Sequence, residues 1–241
     1  MIVLTGSILY PAVAAGLWAW TPLGALDARV VAGLLQLLPF LAAAQLRQLP
    51  LGDLPRVQVY ASSAMAIVVV GGIALMAGLM RGGWEAVGLG PVPWGAVAVW
   101  SASIALGALA LAPPAVWVRR AMGVKETPFL RQLLPKTRTE KGWFAVLSLA
   151  AGFGEEIAYR GYAINVLVLA FGSLPVAVLL SSVAFGALHT YQGFIGIVRT
   201  GALGAVLAGV FLASGSLWPA IAVHASLDLL AGLVVGDRFL D

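Results

Sequence analysis

Long apolar runs recur along the whole chain, and short segments rich in proline, glycine or charged residues separate them. Most runs approach the roughly 20 residues that an α-helix needs to cross the hydrocarbon core of a bilayer. The pattern predicts an all-α, polytopic membrane protein, a single integral-membrane domain over residues 1–241 with a bundle of about eight transmembrane helices. The predicted spans cover approximately residues 1–20, 30–46, 58–80, 93–118, 143–170, 174–190, 193–214 and 217–236.

The composition supports this class of protein, because 61% of the residues are apolar and only 10% are charged, far from the balance of a soluble domain. The chain has no cysteine, which excludes disulfides, thiol nucleophiles and cysteine-ligated metals. The first apolar run follows no basic segment and ends at no convincing cleavage site. We therefore interpret it as the first span rather than as a removed signal peptide.

Basic residues are concentrated in the segment 119–141, which interrupts the apolar pattern. If this loop faces the cytoplasm, eight spans place both termini there as well, and the positive-inside rule favours this orientation in the inner membrane. The other basic residues counted are Arg47, Arg56 and Arg238 on the cytoplasmic side, and Arg29 and Arg81 on the opposite side. The basic charge thus indicates topology rather than a nucleic-acid partner. Within the loop, FLRQLLPK fits either a short amphipathic surface helix or a solvated loop.

A few ionisable residues interrupt the spans themselves. A charged side chain at mid-membrane costs about 3 kcal/mol on insertion scales, so we expect these residues to face one another rather than lipid. They are Glu155, Glu156, Arg160, His189, Arg199, His224 and Asp228, and they include both histidines of the protein.

Helical geometry separates the two adjacent glutamates of the stretch GEEIAYRG. Positions four apart share a helix face, so Glu156 stacks with Arg160, while Glu155 points elsewhere, alongside Tyr159. We interpret Glu156 and Arg160 as an ion pair that orients this turn, with a direct substrate role as the alternative. Glu155 has no local cation and is the better candidate for a general base.

Two later spans each carry a pair of residues four apart, Phe185 with His189 and His224 with Asp228. A lone histidine at the end of a span is more often structural than catalytic, but polar groups on three spans are best satisfied in one shared cavity. Such a cavity has the parts for hydrolysis. Glu155 would act as the base on a water that His189 helps to hold, and His224 with Asp228 would face the developing oxyanion. Asp228 either acts directly or fixes the tautomer and orientation of His224.

These residues form three motifs that resemble those of the CPBP family of intramembrane proteases, also called the type II CAAX protease or Abi family. Residues 155–160 match EExxxR, residues 185–189 match FxxxH, and residues 224–228 match Hxxx(N/D). The motifs follow in the family's order on three of the last four predicted spans, and the resemblance covers residues 143–235.

The resemblance implies a catalytic cavity open toward the cytosol and peptide hydrolysis by glutamate-activated water, with no required metal and no other cofactor. The substrate would be a protein or peptide with a membrane-associated segment, cleaved near its C-terminus or within that segment. The residues implied for catalysis are Glu155, His189, His224 and Asp228, and those implied to shape the site are Glu156, Arg160, Phe185 and Tyr159. The best-studied members carry asparagine at the position of Asp228, and an ionised aspartate cannot donate to an oxyanion as asparagine can.

Two alternatives stay open. A zinc-dependent membrane protease could use the same carboxylates and imidazoles as ligands, although no HExxH motif is present. A non-enzymatic immunity or scaffold factor of the same family, or a proton-coupled carrier, would need no turnover. Arg199 also has two interpretations, because it could snorkel to the cytosolic interface or bind a substrate carboxylate.

Overall fold

The computed structural model describes residues 2–46, 55–92, 94–121, 123 and 127–235, and every regular element in these ranges is helical. The predicted all-α fold class is therefore confirmed. Arg47, Lys125 and Arg238, which contribute to the predicted orientation, lie outside the described residues. The helices are α1 (Ile2–Trp20), α2 (Ala25–Ala32), α3 (Leu38–Leu46), α4 (Arg56–Ala86), α5 (Trp94–Ala121), α6 (Pro128–Gln132), α7 (Arg138–Glu156), α8 (Asn165–Phe171), α9 (Leu174–Leu188), α10 (Gly193–Ser214) and α11 (Trp218–Leu229).

By length and composition, three helical stretches among the described residues can cross a membrane, as expected of an all-α membrane protein. They are Ala25–Leu46, Arg56–Ala86 and Thr190–Ser214, and shorter apolar helices cover Ile8–Trp20, Trp94–Gly107, Leu174–Leu188 and Trp218–Val234. Each predicted span coincides with helical structure, while the number of membrane crossings stays a prediction.

A π-helical segment, Ile157–Ile164, continues α7 directly into α8. Two of its carbonyl oxygens accept hydrogen bonds from side chains. Ser181 Oγ donates to Tyr159 O at 2.8 Å, and Asn165 Nδ2 donates to Gly161 O at 2.7 Å. Hydrophobic periodicity did not predict this segment, because a wider turn shifts the register of only a few side chains.

The helix α7 and its π-helical continuation lie at the centre of the fold, packed against α4, α9 and α11. Small residues allow this close packing. A Cβ placed on Gly71 of α4 would lie 2.6 Å from the Cα of Gly154, and one on Gly152 would lie 2.7 Å from the Cβ of Ala225 in α11. These contacts immediately precede the two glutamates and place them between helices rather than in lipid.

Replacing Gly71 by alanine is expected to lower the melting temperature, because the added methyl group meets the backbone of Gly154. Overpacking of this kind costs about 1–3 kcal/mol. The matched control is Gly72→Ala, since a Cβ there meets nothing within 4 Å and alanine has the higher helix propensity. Thermal unfolding of both variants in detergent checks the pair, and equal melting temperatures would contradict the close packing of α4 on α7.

A polar cluster joins α2, the C-terminal part of α4 and the π-helical segment. Arg81 forms an ion pair with Asp27, and the Tyr162 hydroxyl donates to Asp27 Oδ1 at 2.7 Å. Sequence analysis missed this contact, because the second span was predicted to begin only at residue 30 and Asp27 was left outside it. The cluster neutralises a carboxylate that is 8% exposed and ties α2 to the core.

Part of the basic loop is helical, at the opposite end of α4. In α6 the hydroxyl of Thr127 caps the N-terminus by accepting from the Leu130 N–H at 3.2 Å. Phe129 is only 8% exposed. Of the stretch FLRQLLPK, only FLRQ is helical, and this short helix packs against protein through Phe129.

The helix α7 begins before the predicted span because a capping box starts it at Arg138. Thr137 Oγ1 accepts from the Glu140 N–H at 3.2 Å, and Glu140 Oε2 accepts from the N–H groups of Lys136 at 2.7 Å and Thr137 at 3.0 Å. These backbone hydrogen bonds, with a smaller contribution from Arg56, hold the pKa of Glu140 below its usual range.

This pKa predicts a pH dependence of stability. A carboxylate whose pKa is lower in the folded chain stabilises the fold above its unfolded-state pKa, and the contribution disappears as the pH falls through the folded-state pKa. We therefore expect the melting temperature to fall less steeply in Glu140→Gln than in wild type below about pH 4. Thermal unfolding across this range checks the difference, and parallel curves would contradict the role of the capping box.

Candidate active site

Both glutamates of GEEIAYRG lie in the last turn of α7, where the helix becomes π-helical. Glu156 is fully buried and Glu155 is 8% exposed. A π-helical turn, which is common at functional sites, follows them directly. Two carboxylates are thus held inside the protein at the point where the helix changes its geometry.

Glu156 is the centre of the polar cluster. Its Oε1 accepts from Arg160 Nη1 at 2.7 Å and from His224 Nδ1 at 2.7 Å. The Arg160 guanidinium also lies 4.2 Å from the centre of the Phe185 ring, a cation–π contact. The predicted Glu156–Arg160 ion pair is confirmed. The contact with His224 was not predicted, because it joins α7 to α11 and no spacing along one helix signals it.

Glu156 determines which nitrogen of His224 faces the rest of the cluster. A carboxylate accepts, so Nδ1 carries a proton and donates it to Glu156. The other nitrogen, Nε2, lies 3.7 Å from Glu155 Oε2 and 3.8 Å from Asp228 Oδ2. Asp228 is therefore beyond hydrogen-bond distance, and Glu156 rather than Asp228 fixes the orientation of the ring.

His189 is the first residue after α9, and its backbone has already left the helical conformation at φ −95° and ψ 33°. Its Nδ1 lies 2.8 Å from the carbonyl oxygen of Phe185. Because a carbonyl oxygen only accepts, Nδ1 carries the proton and the lone pair of Nε2 is left to accept a hydrogen bond. This is the atom that could hold a water molecule.

Phe185 joins the two histidines. Its ring centre lies 4.8 Å from that of His189, 5.9 Å from that of His224 and 5.4 Å from that of Tyr159. Within the part of the chain that the structure describes, His189 and Glu155 have no polar contact closer than 4 Å. The structure therefore places both histidine rings against Phe185, with Glu155 and Asp228 beside His224.

Three polar atoms of the cluster are buried without a hydrogen-bond partner in the part of the chain that the structure describes. Glu155 Oε2, Glu156 Oε2 and Arg160 Nη2 are buried and have no hydrogen-bond partner among the described residues, which is uncommon in folded proteins. No group of three or more His, Asp and Glu side chains in the described ranges is arranged to hold a metal ion.

A surface groove of about 450 Å³ lies at the C-terminal end of α4. It is lined by Arg81 and Glu85, among others, and by none of the candidate residues.

Fold and site together define an all-α membrane protein in which α7, α11 and the first residue after α9 contribute a cluster of carboxylates and imidazoles. Residues 138–230 match the family described as type II CAAX prenyl endopeptidase Rce1-like. The match confirms the resemblance to the type II CAAX proteases, and the matched residues contain every candidate site residue. No curated protein and no solved structure matches the chain.

Proposed function

We propose that the protein is an intramembrane endopeptidase in which Glu155 activates a water molecule. The observation that supports this most directly is the placement of His224. Its Nδ1 is fixed by Glu156 at 2.7 Å, and its Nε2 is directed at Glu155 and Asp228 at 3.7 and 3.8 Å. A base and an electrophilic group thus face the same small space, as hydrolysis of an acyl group requires.

In the proposed reaction, the Glu155 carboxylate removes a proton from water while the water oxygen attacks the carbonyl carbon of the peptide. The His189 Nε2 accepts the second O–H of this water and orients it. The bond that forms is C–O, and the carbonyl π-electrons move to the oxygen, which becomes an oxyanion. Collapse of this intermediate re-forms the C=O bond and breaks the C–N bond, and Glu155 returns its proton to the leaving amine, so that the products are a carboxylic acid and an amine.

His224 stabilises the oxyanion in this proposal. When the ring carries a second proton, Nε2–H donates to the negative oxygen. The Asp228 carboxylate beside Nε2 cannot donate in its ionised form, and we assign it the role of stabilising the cationic ring. This role differs from the one open to the asparagine at this position in the better-known members, because an amide can donate to an oxyanion.

The proposed substrate is a protein or peptide with a membrane-associated segment, cleaved near its C-terminus or within that segment. The description of the matching family, type II CAAX prenyl endopeptidase, supports a protein or peptide substrate. We further propose a multi-pass protein of the inner membrane, surrounded by lipid, with both termini in the cytoplasm. Arg56 supports this orientation, since it lies 3.5 Å from Glu140 at the end of α4 that faces the basic loop, whereas Arg81 lies at the other end.

Comparison of two cell lines tests this function and identifies the substrate. One expresses the wild-type protein and the other expresses Glu155→Gln at the same level, and the termini of their membrane proteins are compared by mass spectrometry. We expect at least one membrane protein to gain a new terminus only with the wild type. If the two sets of termini are identical while the variant still confers any protective phenotype of the wild type, the non-enzymatic immunity or scaffold role replaces this proposal.

A further inference from the structure

The turn that follows His189 is held by a segment of the basic loop. This segment, residues 127–133, is called the strap below. Thr127 Oγ1 donates to the carbonyl oxygen of Tyr191 at 2.8 Å, and the ring of Phe129 packs edge-on against the ring of Tyr191 with a centre-to-centre distance of 6.1 Å. One backbone contact and one aromatic contact therefore join the strap to Tyr191.

The other end of the strap is anchored to α4. The Tyr60 hydroxyl donates to Leu133 O at 2.6 Å, and Arg56 Nε donates to Gln132 O at 2.6 Å. Tyr60 is 1% exposed, and its ring packs edge-on against Phe144 of α7 at 5.5 Å. The strap thus joins α4, which itself packs against α7, to the turn after α9.

Tyr191 connects the strap to the candidate active site, because its ring centre lies 5.7 Å from that of His189. The centre of the His189 ring also lies 4.8 Å from that of Phe185. Since the His189 backbone is no longer helical, its ring orientation depends on these two aromatic neighbours and on one hydrogen bond. Phe185 is fixed by α9, whereas Tyr191 belongs to the turn that the strap holds.

We infer that the strap is a positioning element for His189, acting through Tyr191. The inference rests on the proposed function, in which His189 Nε2 orients the attacking water. Thr127 and Phe129 do not contact the reacting atoms in this view, and they act by holding Tyr191 against the imidazole. A shift of about 1 Å in a catalytic group can lower a rate by up to about a hundredfold, so loosening this contact is expected to affect the chemical step.

The test uses Thr127→Val, which keeps the shape but removes the hydroxyl, and Phe129→Ala, which removes the ring. Thr127→Ser retains the hydroxyl and is the matched control. Because the protein has only two histidines, the ring signals of 13C-labelled histidine can be assigned with the single variants His189→Gln and His224→Gln. We expect Thr127→Val and Phe129→Ala to shift or broaden the His189 signal, to leave the His224 signal in place, and to lower kcat about tenfold with KM nearly unchanged.

An unmoved His224 signal shows that a variant is folded, and the two strap variants provide independent measurements. The inference is overturned if the His189 signal stays unmoved in a folded strap variant, or if kcat stays at the wild-type value although the signal moves. Failure of the proposed function has a different signature. In that case the wild type shows no cleavage that depends on Glu155, whereas the effect of the strap on the His189 signal is still observed.

Discussion

Replacing Glu155 by glutamine is expected to abolish peptide cleavage, lowering kcat by about a thousandfold or more, while the protein stays folded. Glutamine has the same shape but cannot accept a proton, and general acid–base catalysis contributes about 10²- to 10⁴-fold. Glu155 Oε2 makes no hydrogen bond among the described residues, so the substitution breaks no hydrogen bond at that atom. The measurement is cleavage of a membrane-tethered peptide by purified protein in lipid vesicles, with the melting temperature recorded in parallel.

The matched control for this prediction is Glu85→Gln, the same substitution at an exposed residue near the far end of α4. It is expected to leave kcat unchanged. Cleavage that continues in Glu155→Gln would contradict the assignment of the base. The same assay examines the zinc alternative, since wild-type activity that survives a strong chelator argues for the glutamate mechanism and activity that is lost and then restored by zinc argues for the metal.

Contacts within one helix could be predicted from the sequence, because the spacing of residues fixes them. The Glu156–Arg160 ion pair is present as predicted, and Phe185 and His189 lie together at the end of α9. The helical class of the fold was predicted for a similar reason, since long apolar runs leave the backbone no other way to satisfy its hydrogen bonds in a membrane.

Contacts between helices could not be predicted in detail. Convergence of the polar residues was expected from the cost of burying them in lipid, but that cost does not specify which partner each atom finds. The spacing of four residues predicted a contact between Asp228 and His224. In the structure, the Nδ1 of His224 instead donates to Glu156. Tyr191 was not considered at all, because an aromatic residue at the end of a span gives no sign that it will pack on a histidine.

The Glu156–His224 contact leads to the second large prediction. Glu156→Leu is expected to lose both stability and activity, while the double variant Glu156→Leu/Arg160→Met is expected to regain stability and remain inactive. Removing Glu156 alone leaves Arg160, which is 1% exposed, without its carboxylate, and breaking a buried ion pair in this way costs about 3–5 kcal/mol. Replacing both partners by apolar residues removes the uncompensated charge, so much of this loss is recovered.

Activity does not recover in the double variant, because the Nδ1 of His224 still has no acceptor and the ring is free to turn its Nε2 away from Glu155. We expect kcat to stay about a hundredfold or more below wild type, although the melting temperature approaches the wild-type value. Melting temperatures and cleavage rates of wild type, both single variants and the double variant give the comparison. If the double variant regained activity together with stability, Glu156 would serve only to neutralise Arg160. Stability without activity would instead show that one oxygen atom of Glu156 has two separable roles, closing an ion pair within α7 and orienting the imidazole of α11.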